Sequence, residues 1–172
     1  MDGSRRKPGY TLMELATVMV VVAIVAIAVG GPTLAFMSAT RSRFAATRIG
    51  ADLAYVQRLA MNARRRTWVV FDVLNNRYTL YAENPTNPGK ANRQLLANPL
   101  TGDTGATQLG TGEFGTAALA SVSINATAEL EFDSLGKPYD ANSAELTANG
   151  TISLNNSVVL TIRPVSGLVE QN

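Results

Sequence analysis

The 172-residue chain contains no cysteine and no histidine, and only 6% of it is aromatic and 16% charged. Without cysteine there is no disulfide, no thiol nucleophile and no thiolate metal site. An oxidising compartment stays open, because many exported proteins do without bridges. Without histidine the commonest general base and the commonest metal ligand are both missing. Enzymatic activity is therefore not expected, and no cofactor or metal is implied.

The charge that is present is unevenly placed. Asp2, Arg5, Arg6 and Lys7 contribute the whole formal net charge of +2. Residues 41–66 hold seven Arg and one Asp, whereas residues 67–172 hold five basic and ten acidic groups. The middle is basic and the remainder acidic. From Leu15 to Thr40 there are 26 positions without a charge. As a helix this would rise about 39 Å, more than the ~30 Å hydrocarbon core of a bilayer. The basic residues before it favour a cytoplasmic N-terminus. Arg41 and Arg43 beyond it weaken that bias without reversing it.

Glu14 interrupts the start of this apolar segment. A secretory signal peptide with Ala26-Ile27-Ala28 as its cleavage site, or a plain signal anchor, would leave it unexplained. A carboxylate opposes insertion by roughly 2.5–3.5 kcal/mol at mid-bilayer, and by less near the edge. A third reading accounts for it. Gly9-Tyr10-Thr11-Leu12-Met13-Glu14 resembles the type IV prepilin cleavage and methylation motif, with Tyr10 in place of the usual Phe. The resemblance implies a cut between Gly9 and Tyr10 by a prepilin peptidase, N-methylation of Tyr10, and retention of the apolar helix. Glu14 becomes the fifth mature residue, which in this family pairs with the amine of a neighbouring subunit during assembly. A helix spanning Tyr10 to Glu14 would separate the two by a rise of about 6 Å. Unpaired in low dielectric the carboxylate is costly; paired with an amine it is tolerated. Val18 to Val29 is rich in Val, Ile and Ala, and Gly30-Gly31-Pro32 predicts a kink or loosened turn at Pro32. A simple membrane-helix kink and a point of unwinding during assembly both fit Pro32.

Beyond Arg43, Ala45, Ile49, Leu53, Val56, Ala60 and Ala63 recur at helical spacing, with Arg41, Arg48, Arg58 and Arg65 mostly off that stripe. The period changes at Thr67. Trp68 to Leu74 and Arg77 to Tyr81, joined by Asn75-Asn76, predict a β-hairpin. Residues 84–118 read as a long loop with one short strand near Gln94 to Leu96. Ser121 to Ile124 and Glu129 to Phe132 read as strands. Asp133 to Pro138 is a turn, Gly150 to Leu154 and Val158 to Arg163 form a second hairpin, and Ser166-Gly167 turns into a short tail.

This layout is similar to the minor pseudopilins of the GspH/FimT type. The residues that carry the likeness are Leu59-Ala60-Met61-Asn62-Ala63-Arg64-Arg65-Arg66 running straight into Trp68 to Leu74, then Phe132-Asp133-Ser134-Leu135-Gly136-Lys137-Pro138, then Ile152-Ser153-Leu154, Val159 to Ile162 and Ser166-Gly167. It is vague over 84–120. The cysteine pair that staples the C-terminal loop of many major pilins is missing.

The expected fold is α+β: a long membrane-spanning helix packed on an antiparallel β-sheet or β-sandwich domain. The expected division is a leader over 1–9, a transmembrane and assembly helix over 10–40, its amphipathic continuation over 41–66, and an extracytoplasmic β domain over 67–172. The resemblance implies a minor pseudopilin of a type II secretion system, at or near the tip of the pseudopilus. Its partners would be other pseudopilins, the prepilin peptidase, the inner-membrane assembly platform and the membrane itself. It would lie in a bacterial inner membrane with its C-terminal domain in the periplasm. Two alternatives stand beside it. A FimT-like minor type IV pilin would act in pilus assembly or in DNA uptake, and for the latter would use Arg64, Arg65 and Arg66 on phosphates and Trp68 to stack a base. Those arginines also complement a helix C-terminus, and the tail Val165 to Asn172 is acidic, so nucleic acid is not the expected partner. A membrane-anchored enzyme or calcium site would draw on Asp133, Asp140 and Glu145, but nothing pairs a nucleophile with a base.

Overall fold

The computed structural model describes residues 11–98, 102 and 104–172, with the side chains of 28–35 outside the description. The chain divides into two compact units, Met1–Met37 and Ser38–Asn172. Helix α1 spans Leu12–Ala63 and contributes to both.

In the first unit, α1 opens behind Thr11, whose Oγ1 accepts the Glu14 N–H at 3.2 Å and whose carbonyl accepts the Leu15 N–H at 3.2 Å. Thr11 is thus the N-cap, so the helix starts two residues later than a helix from Tyr10 would. Competition from the threonine hydroxyl for the first free N–H groups sets that boundary.

In the second unit, α1 lays Ala45, Ala46, Ile49, Leu53, Val56 and Ala60 into the core. Ala63, expected on this stripe, is exposed because the helix is ending there. Arg48, expected off the stripe, is buried.

Two antiparallel sheets share that core. The first is built from β1 (Thr67–Asp72), β2 (Arg77–Ala82), β3 (Gln94–Leu95), β4 (Ala106–Gln108), β6 (Glu129–Phe132) and β7 (Pro138–Tyr139). Its order is β3-β2-β1-β6-β7, with β4 also on β2. The second comprises β5 (Leu119–Ser123), β8 (Gly150–Leu154), β9 (Val159–Ile162) and β10 (Val169–Gln171), in the order β10-β9-β8-β5. Alternation decides what each strand buries: Ile152 and Leu154 on β8 enter the core while Thr151 and Ser153 stay partly in water. Val69, Phe71, Leu80, Leu130, Phe132, Leu160 and Ile162 meet the helical stripe in one cluster. The architecture is α+β, a helix packed on antiparallel sheets.

The hairpin forms at its expected place, but β1 stops at Asp72 and not at Leu74. The Asp72 carboxylate accepts the Asn75 N–H at 3.0 Å and its side-chain amide at 2.7 Å, closing a wider turn with Asn76 at φ 51°. The expected loop over 84–118 contains β3 and also β4. The tail after Gly167 is not free of structure, since β10 pairs with β9 through Val169 and Ile162.

Candidate functional site at the two ends of the helix

Thr11 and Glu14 have the spacing of a capping box, Thr-x-x-Glu. A carboxylate at the third helical position also faces the positive end of the helix dipole. The structure shows the Thr11 half of that box, the Glu14 N–H on the Thr11 hydroxyl, and the Glu14 carboxylate complements the helix N-terminus by its charge. The Glu14 side chain is exposed, and so is everything around it from Leu12 to Ile27. Thr17, the one other polar side chain between Leu15 and Ile27, turns its hydroxyl inward to the Met13 carbonyl at 2.9 Å. The result is an apolar cylinder with a single carboxylate at its head. A helix apolar all round needs an apolar surrounding, whether lipid or other helices. Among the described residues no helix is long and apolar enough to cross a membrane. The proposed cleavage pair Gly9 and Tyr10 lies outside the described residues, as do the leader and Asp103. Pro32 falls within α1, in the segment whose side chains lie outside the description.

At the other end, α1 stops at a left-handed residue. Arg64 has φ 49°, and the Arg65 N–H returns to the Ala60 carbonyl at 3.2 Å. This is a C-terminal cap of the kind glycine usually makes. The three arginines then diverge. Arg64 is exposed. Arg65 Nη1 donates to the Glu83 carbonyl at 3.3 Å. Arg66 forms an ion pair with Glu131 at 3.1 Å. Trp68 is fully buried, and its indole N–H donates to Glu131 at 2.9 Å. The Ser143 hydroxyl donates to the same carboxylate oxygen at 2.9 Å. Trp68 therefore presents no face on which a base could stack, which corrects that expectation. β1 begins at Thr67 and its alternation turns Trp68 onto the Glu131 side, opposite its partner on β6.

The carboxylates weighed as an enzymatic or calcium site hold their own turns. Asp133 accepts the N–H groups of Leu135 at 2.9 Å and Lys137 at 2.8 Å. Asp140 accepts those of Asn142 at 2.8 Å and Ala144 at 3.0 Å. Burial pushes the Asp140 carboxyl up, but those N–H groups and Asn125 outweigh it and leave it below the ordinary range. Glu145 pairs with Lys137 at 2.8 Å. No metal-sized group of three acidic ligands gathers among the described residues.

One buried polar group escaped sequence reasoning. Asp52 Oδ2 accepts from Arg48 Nε at 3.2 Å and from the Tyr78 hydroxyl at 2.7 Å, and Arg48 Nη2 donates to Asn98 Oδ1. The Arg-x-x-x-Asp spacing places the pair on one helical face and was the available signal. Burial first, and the Asp52 charge second, push the Tyr78 hydroxyl well above its usual range.

No family model matches this chain, and no curated protein does. Among solved structures, it is similar to the minor pseudopilin EpsH from the Type 2 Secretion System of Vibrio cholerae. The TM-score is 0.54 at 16% identity, over 77% of this chain and 96% of that one. At that identity the likeness is one of fold: this chain has a pseudopilin-like fold.

Proposed function

We propose that the chain is a minor pseudopilin of a type II secretion system, a structural subunit and not an enzyme. Residues 1–9 are its leader, cut between Gly9 and Tyr10 by a prepilin peptidase that also methylates the Tyr10 amine. Residues 10–40 cross the inner membrane with the N-terminus in the cytoplasm. The β domain stands in the periplasm and enters the pseudopilus at or near its tip, among other pseudopilins and above the membrane assembly platform.

The observation that carries this reading is a conjunction. A pseudopilin-like fold follows an apolar helix, and that helix carries one carboxylate, Glu14, five residues after a Gly-aromatic junction. The free amine of a neighbouring subunit is the partner whose charge and reach suit that carboxylate. The DNA-uptake alternative rests on fewer residues, with Trp68 interior and Arg66 held by Glu131.

Glu14→Leu tests it. The variant should insert into the membrane at least as well as the parent, because a buried charge is removed. It should fail to co-purify with sheared pseudopili and should fail to support secretion. Normal secretion and normal incorporation would take Glu14 out of the mechanism.

A further inference from the structure

Two turns of the β unit lie side by side against α1. Gln57 Nε2 donates to the carbonyl oxygen of Gly136 at 2.8 Å and to that of Ser166 at 2.7 Å. The contact leaves no room for side chains. A Cβ on Gly167 would lie 2.6 Å from Gln57 Nε2 and 3.1 Å from the Gly136 carbonyl oxygen, and one on Gly136 would lie 2.9 Å from Met61 Sδ. Each turn holds a large aliphatic side chain out in water at its tip: Leu135 is 76% exposed and Val165 71%. Met61 and Leu168, beside them, are exposed as well.

Val165 is the most telling of these. The Ser166 N–H donates to the Pro164 carbonyl at 2.8 Å across it, and its φ is 69°. That is a γ-turn of the rare, strained hand, with a β-branched residue in the left-handed region. Glycine or asparagine would make the turn with less strain and no apolar surface. Strain of this kind persists only where the surrounding structure imposes it, and it is concentrated at functional sites.

The rim adds a charge. Arg58 precedes Met61 by three residues on the same helical face, and Arg64 follows at the helix exit. Both are exposed, and neither takes part in an ion pair among the described residues. Lys137, close by in sequence, is already neutralised by Glu145. Asp133, in the Leu135 turn, accepts the N–H groups of Leu135 and Lys137, so two exposed guanidinium groups stand against one carboxylate and the balance beside the apolar tips is positive.

We propose that Met61, Leu135, Val165 and Leu168, rimmed by Arg58 and Arg64, form a docking surface for a protein partner that presents an apolar segment flanked by carboxylates. The apolar segment would take the four side chains out of water, and the carboxylates would meet the two guanidinium groups. Rim charges of this kind choose the partner and speed its approach more than they hold it. The surface lies wholly in the unit Ser38–Asn172 and does not depend on how the N-terminus is processed.

The test is photocrosslinking of the full chain in the cells that make it. A photoreactive residue replaces Leu135 or Val165, and Leu74, exposed at the β1–β2 turn, is the control position. A discrete protein adduct should form from 135 and from 165 but not from 74. Its crosslinked peptide should carry Asp or Glu beside an apolar run. The adduct should be lost with Arg58→Glu and kept with Arg58→Lys, both variants melting as the parent does. No adduct from 135 and 165, the same adduct from 74, an adduct of lipid or of a second copy of this chain, or indifference to Arg58→Glu would each overturn the proposal.

Discussion

Trp68 gives its indole N–H to the buried carboxylate of Glu131 at 2.9 Å. The two residues face each other across β1 and β6. A side chain that looked available for stacking is instead one of three partners, with Arg66 and Ser143, of an interior carboxylate. Trp68→Phe keeps most of the volume and removes the donor. It should cost about 1.5–3 kcal/mol, the scale of a hydrogen bond to a charged group, read as a lower urea midpoint. The same variant should leave DNA retention unchanged, with little or none for either protein at physiological salt. A salt-sensitive shift of labelled DNA, abolished when Arg64, Arg65 and Arg66 become Ala, would contradict this.

Asp52 is the only carboxylate in contact with buried Arg48 among the described ion pairs. Asp52→Ala should therefore destabilise the β unit by about 3–5 kcal/mol, because a guanidinium stays buried without its counter-charge. Chemical denaturation measures it. A loss below about 1 kcal/mol, the scale of an exposed pair, would mean that water reaches Arg48.

Tyr78 makes stability depend on alkaline pH. Its hydroxyl ionises above the ordinary tyrosine value in the folded state, chiefly through burial and then through the charge on Asp52. A pKa raised by folding contributes stability that is complete below the unfolded value, about pH 10, and is lost progressively above it. Denaturant midpoints from pH 8 upward should fall faster for the parent than for Tyr78→Phe once pH passes about 10. Parallel curves would show that the hydroxyl is not held protonated.

Two backbone positions should respond in opposite directions. Gly167→Ala puts a Cβ 2.6 Å from Gln57 Nε2 and 2.9 Å from the Phe132 ring at φ 65°. About 1–3 kcal/mol should be lost. Arg64→Gly relieves a left-handed arginine at the helix exit and should gain roughly 0.5–1 kcal/mol. Thermal melts of the two variants should move apart around the parent.

The parts of the fold that were legible in the sequence are those where a long periodic run meets strong turn chemistry. The stripe from Ala45 to Ala60, the hairpin around Asn75-Asn76 and the strand Gly150–Leu154 all have enough residues to show a period. β4, β7 and β10 have three residues or fewer. They exist because β2, β6 and β9 offer free edges, a tertiary cause with no local signature. Arg48 and Trp68 misled for a related reason. Each is polar or amphipathic by type, and only the position of Asp52 or Glu131 makes it interior. Around Glu14, the capping role was present in Thr11-x-x-Glu14, masked by the stronger suggestion of the Gly-aromatic junction.

The most direct measurement of the central claim is the mass of the N-terminal peptide of the chain isolated from the membranes of its own cells. The account predicts a first residue of Tyr10 carrying one methyl group on its amine, with the apolar helix still attached. A chain beginning at Val29, after Ala26-Ile27-Ala28, or one that keeps residues 1–9, would contradict it.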